Sequence, residues 1–132
     1  MLERAQLVVN LRASDLDEAV SFYEGKLGLP VAIRAEVLPG HEEVLFDAGG
    51  GLVCIEQGTP ADSGGQTPAG FQVEDVPGTV DALRAAGVTF EDYDLPSLKT
   101  VDGVATVGSL QAAWFKDPAG NLLALTSPLK SS

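Results

Sequence analysis

The chain is poor in the residues that carry most enzyme chemistry. Among 132 residues it has one cysteine, Cys54, one histidine, His41, and one tryptophan, Trp114. A single cysteine excludes an internal disulfide framework and any zinc site built from several thiolates. It fits a reducing compartment, and the expected location is the cytoplasm. Basic residues are scarce too: eight Lys and Arg stand against nineteen Asp and Glu, for a net charge of −11. A nucleic-acid backbone needs a basic face, so nucleic acid is excluded as a partner. No apolar run approaches the roughly 20 residues of a membrane-spanning helix. The first residues, Met1-Leu2-Glu3-Arg4-Ala5, lack the basic-then-apolar order of a secretory signal. No membrane partner is expected.

What is present is organisation. At this length one domain over 1–132 is expected, large enough to bury a core without staples. Ala5–Arg12 reads as a strand with Leu7, Val9 and Leu11 on one face and Val8, Asn10 and Arg12 on the other. Ser14 is the expected cap of a helix that repeats Leu16, Ala19, Val20, Tyr23 and Leu27 and stops at Gly28. Three β-like runs follow, Val31–Val37, Glu43–Asp47 and Leu52–Gln57, separated by Pro39-Gly40 and Gly49-Gly50-Gly51. A Gly/Pro/Ser/Thr-rich connector, Gly58–Ala69, separates module one (5–57) from module two (70–128), and then the order starts again. Phe71 and Val73 alternate with Gly70 and Gln72, Asp75 caps a helix carrying Val76, Val80, Leu83 and Ala86, and Gly87 ends it. Further strands are expected at Val88–Glu91, around Val101–Thr106, at Gln111–Phe115 and at Leu122–Thr126. At an offset of 60, Leu11-x-Ala13-x-Asp15-Leu16 overlies Phe71-x-Val73-x-Asp75-Val76, and Val20 overlies Val80. Neither half alone covers its sheet, so two copies packed side by side are the physical solution.

The last hairpin is the most specific stretch. Trp114-Phe115-Lys116 runs into Asp117-Pro118-Ala119-Gly120-Asn121, a turn in which Pro118 presets φ, Gly120 or Asn121 accepts φ > 0 and Asp117 bonds its own backbone. With Asn10 to Tyr23 and Leu27-Gly28-Leu29, this hairpin resembles the vicinal oxygen chelate superfamily, the glyoxalase, bleomycin-resistance and extradiol-dioxygenase group. The resemblance spans essentially the whole chain. It implies an α+β fold of two tandem βαβββ modules forming a U-shaped cleft, and a homodimer. It says little about the reaction, because members include isomerases, dioxygenases, epimerases and metal-free binding proteins.

The same resemblance implies where a divalent metal would be held in the family's enzymes. The first-strand position, normally His, falls on Val8, and its counterpart in the second module falls on Pro68. The last-strand positions are Glu56 and Ala124. Val, Pro and Ala offer no donor atom, and one carboxylate makes no dedicated divalent site. No metal and no other cofactor is therefore expected.

The remaining candidates are ordinary polar residues. Parity places Asn10, Arg12, Cys54, Glu56 and Gln72 on the cleft side, where a guanidinium and two amides suit a small organic ligand with carbonyl, carboxylate or hydroxyl groups. Each also has a purely structural reading, as a satisfied strand residue or a subunit contact. Glu56 is the one catalytic candidate, as a base whose pKa burial raises; alternatively it reaches water or pairs with Arg12. Trp114 is a stacking platform or a core residue. Cys54 reads as a small buried hydrophobe, and His41, between Gly40 and Glu42, as a solvated turn residue. The expected function is metal-free binding of a small organic molecule. The alternatives are a metal-dependent lyase, isomerase or dioxygenase with an unconventional site, and metal-free acid–base catalysis by Glu56.

Overall fold

Strand-to-helix junctions organise the molecule, and the computed structural model describes them within residues 1–60, 62 and 66–129. Residues 61 and 63–65 of the expected connector, and 130–132, lie outside the described residues. Contacts divide the chain into two units. The first comprises Met1–Gly64 with Asp117–Asn121, and the second comprises Gly65–Lys116 with Leu122–Ser132.

The first unit runs β1 (Val8–Ala13), α1 (Leu16–Val20), a π-helical turn (Ser21–Lys26), β2 (Val31–Leu38), β3 (His41–Ala48) and β4 (Gly51–Gln57). Its sheet order is β1-β4-β3-β2, with β1 parallel to β4 and the other pairs antiparallel. The helix cap is Asp15, not Ser14. The Asp15 carboxylate accepts the Glu18 N–H at 3.1 Å, which leaves Leu16 as the first helical residue. The widening to a π turn was not expected either. Phe22 and Tyr23, consecutive within it, are both buried, and their rings meet edge-on at 5.4 Å. Gly28, at φ +75, then reverses the chain, and the Leu29 N–H reaches back to the Tyr23 carbonyl. Leu11, Ala13, Leu16, Ala19, Phe22, Tyr23, Val44, Phe46, Val53 and Ile55 form the core. Burying each of the Leu, Val, Ile and Phe side chains among them contributes about 1.5–3 kcal/mol.

The second unit runs β5 (Ala69–Gln72), α2 (Val76–Ala85), β6 (Asp94–Leu95), β7 (Leu98–Val101), β8 (Val104–Val107), β9 (Leu110–Lys116) and β10 (Leu122–Thr126). The sheet order is β5-β10-β9-β8-β7-β6, again with the first strand parallel to the last. Asp75 caps α2 through the Gly78 N–H at 3.0 Å, as Asp15 caps α1, so the sequence repeat is also a structural one. Both units are βαβββ modules, and β6 and β7 extend the second sheet. Two expectations are corrected. Val88–Glu91 is not a strand; it touches the sheet through a single bridge, Phe90 to Phe115. The run around Val101–Thr106 is a hairpin rather than one strand, because Asp102 (φ +52) and Gly103 (φ +81) make a tight turn within it. The core is Val76, Val80, Val88, Phe90, Ala113, Phe115, Leu123 and Leu125.

Among the described residues, no helix is long and apolar enough to cross a membrane.

Candidate functional site

Ladder register decides which side chains share a face. In the first sheet, Asn10 lies beside Cys54 and Arg12 beside Glu56, while Leu45 and Glu43 flank Cys54 and Glu56 on the other side. Leu11, Ala13, Val53 and Ile55 alternate with these and pack into the core. Asn10, Arg12, Cys54 and Glu56 therefore lie together on the face away from α1, and Glu43 joins them.

The chemistry of this face is set by crowded acids. Glu43 stands directly opposite Glu56, an arrangement that like charges make unfavourable. The Arg12 guanidinium approaches Glu56 at 3.7 Å, with both side chains open to water, so the pair adds little stability. One ligand atom from each of Glu43, Cys54 and Glu56 lies within 4.8 Å of the others. Burial pushes the Cys54 thiol up to about 11, helped by the Glu43 and Glu56 charges and by its hydrogen bond to Glu43. At neutral pH Cys54 thus carries its proton and is a hydrogen-bond donor rather than a nucleophile. His41 is exposed at the start of β3.

In the second sheet, Ala124 lies between Gly70 and Trp114, and Thr126 between Gln72 and Ala112. Gln72 and Trp114 share the face away from α2. Trp114 is half-buried and meets the Tyr93 ring edge-on at 5.5 Å, a position combining packing with an accessible edge.

The hairpin turn is structural. The buried Asp117 carboxylate accepts the Tyr23 hydroxyl at 2.7 Å, the Asn121 backbone N–H at 2.8 Å and the Asn121 side-chain amide at 2.8 Å. The same amide also donates to the Arg12 carbonyl at 3.0 Å. Gly120, at φ +95, supplies the left-handed residue of the turn. Asp117 and Asn121 therefore close a buried polar network around Tyr23, whose own pKa is raised by burial and by the Asp117 charge. Pattern reading found the turn chemistry but not the tyrosine, 94 residues away in sequence. Nor did it set Glu43 opposite Glu56. The signal was the short turn after Ala48, which sets Ala48 opposite Gly51 and thereby Glu43 opposite Glu56.

The family's metal positions are not filled by donors. Val8 opens β1 and is partly exposed, Pro68 is exposed just before β5, and Ala124 is buried in β10. Of the four positions that the resemblance implies, only Glu56 carries a donor atom, and Glu43 and Cys54, which lie close to it, are not among those positions.

The model of the Glyoxalase/Bleomycin resistance protein/Dioxygenase superfamily matches residues 5–125. A glyoxalase/bleomycin resistance protein/dioxygenase from Alicyclobacillus acidocaldarius is 17% identical and superposes with a TM-score of 0.71, covering 96% of this chain and 93% of that one. UcmS2 is 24% identical with a TM-score of 0.72, covering 93% and 98%. A fosfomycin resistance protein from Listeria monocytogenes, solved with Mn(II) and a sulfate ion, is 16% identical with a TM-score of 0.68, covering 98% and 95%. At these identities the structural likeness speaks for the fold alone. A comparison with curated protein sequences gives no match. The fold is that of a paired-module α+β protein, and the chain belongs to the glyoxalase/bleomycin resistance/dioxygenase superfamily.

Proposed function

We propose that the protein binds a small organic molecule without a metal, on the polar face of the first sheet. The observation that carries this reading is the donor chemistry: Val8, Pro68 and Ala124 stand where metal-using relatives are expected to present ligands. Asn10, Arg12 and Glu56 offer an amide, a guanidinium and a carboxylate on one face, and Cys54 adds a protonated thiol. Such a set recognises carbonyl, carboxylate or amine groups by directed hydrogen bonds. Gln72 and Trp114 are the corresponding candidates on the second sheet. Family membership also supports proposing a homodimer that works in the cytoplasm.

The test is titration calorimetry with a panel of organic compounds, bleomycin and fosfomycin among them, in the presence of EDTA. Saturable binding that Arg12→Ala and Glu56→Gln weaken is the expected result. Binding or turnover that needs one equivalent of divalent metal would overturn the reading. A second reading, a metal-dependent lyase, isomerase or dioxygenase, is favoured only by the closeness of Glu43, Cys54 and Glu56. Metal analysis after equilibration with Zn²⁺ or Mn²⁺ separates the two, since that reading predicts a stoichiometric ion lost in Glu43→Gln.

A further inference from the structure

A recess lies on the α2-bearing face of the second sheet, away from Trp114 and Ala124. It is a groove of about 460 Å³ between α2 and strands β7 to β9. Its existence follows from the fold: α2 has ten residues, and the sheet beneath it has six strands. The helix covers β9 but leaves the outer hairpin uncovered. The floor is aliphatic, formed by Val80, Val101 and Val104, and Val101 is 67% exposed. The rim carries both signs of charge, with Asp81 on α2, Asp102 in the β7–β8 turn and Lys99 on β7. Thr106 and the half-buried Gln111 close one end. Among the described residues, Lys99 makes no ion pair with either aspartate, and the Gln111 side-chain amide has no hydrogen-bond partner.

We infer that this groove is a separate ligand site, and that it takes a small zwitterion with an apolar body, such as an aliphatic or aromatic α-amino acid. The volume falls in the range of small-molecule sites, and an aliphatic floor with a few polar groups is their usual lining. Lys99 receives the carboxylate, Asp81 and Asp102 receive the ammonium, and the valines receive the side chain. Opposite charges on the rim select against singly charged ligands, because each leaves one rim charge without a partner. The aspartates and lysine are free to do this because they are not neutralising one another. This site does not rest on the function proposed for the first sheet.

The experiment is an ¹H–¹⁵N NMR titration of the full chain with L-leucine and L-phenylalanine, alongside the uncharged N-acetyl-L-leucinamide. The expected result is saturable shifts at the Val80, Val101 and Val104 amides, an unmoved Trp114 indole N–H, and no response to the neutral amide. Lys99→Gln and Asp102→Asn should each weaken binding by about tenfold, the loss of one charge-assisted contact. Asparagine tolerates the positive φ of residue 102, so the turn is retained. Thr106→Trp, at an exposed strand position, should fill the groove and abolish the shifts. Any of three results overturns the inference: no groove shifts at about 20 mM amino acid, well above the millimolar range of weak ligands, equal binding of the neutral amide, or binding that survives Thr106→Trp.

Discussion

The two units share a topology and differ in what they bury. Among the described residues, the buried polar ones, Asp117 and Asn121, belong to the first unit, together with the Tyr23 hydroxyl that Asp117 accepts. The second unit is held by apolar contacts, centred on Phe90 against Phe115 at 5.4 Å. Their open faces differ in the same sense. The first carries the charged Arg12, Glu43 and Glu56, while the second carries no charge, with Gln72, Thr126 and Trp114 among the small Gly70, Ala112 and Ala124. An internal repeat therefore preserves its junctions, Asp15 and Asp75 above all, while its faces diverge. Junctions are constrained by backbone hydrogen bonds that every copy must satisfy, and an outward face is not.

The sharpest way to break this contrast is to damage each core by its own mechanism. Phe115→Ala, in the apolar unit, should cost about 3–5 kcal/mol in urea unfolding, as a cavity opens beneath Phe90. Asp117→Ala should cost about 2–3 kcal/mol, since it strands the buried Tyr23 hydroxyl and the Asn121 backbone N–H and leaves the Asn121 amide only its bond to the Arg12 carbonyl. Tyr23→Phe, which removes the hydroxyl and its need together, should cost only about 1 kcal/mol. If Asp117→Ala were no worse than Tyr23→Phe, the polar network would not distinguish the first unit.

A smaller effect comes from pH. The folded chain holds the Cys54 proton up to about pH 11, whereas an unfolded thiol releases it near its ordinary value of 9.0. Between those values the folded state binds more protons than the unfolded state, so stability falls as pH rises. The contribution is fully present below pH 9 and gone above pH 11. Cys54→Ala should flatten that part of the profile, measured as urea midpoint against pH, and leave the later decline from Tyr23. The smallest effect expected is on thiol reactivity: Glu43→Gln removes one of the charges holding the thiol up, so Cys54 should react faster with iodoacetamide at pH 8.

Much of this was legible along the chain, and the reasons are local. Alternation alone set Asn10, Arg12, Cys54 and Glu56 on one face, because a strand has period two and its parity survives without knowing its neighbours. The caps at Asp75 and the stops at Gly28 and Gly87 are likewise short-range chemistry. Asp15 was misread as Ser14 because adjacent residues can both cap, and only the seating of Leu16 in the core chooses between them. The π turn over Ser21–Lys26 has no local signal in the sequence pattern, which reads the same run as ordinary helix. The groove beside α2 required knowing that two extra strands join the second sheet, and both are short.

The sequence by itself determined the repeat, the strand parities, the turn chemistry and the absence of donor atoms at Val8, Pro68 and Ala124. Each depends on residues within a few positions of one another, or on side-chain composition alone. Only the tertiary structure set Glu43 against Glu56, joined Tyr23 to Asp117, hung Asn121 from the Arg12 carbonyl, and brought Lys99 to one groove with Asp81 and Asp102. Those arrangements join segments far apart in the chain. They are fixed by burial and ladder register, which no local pattern contains.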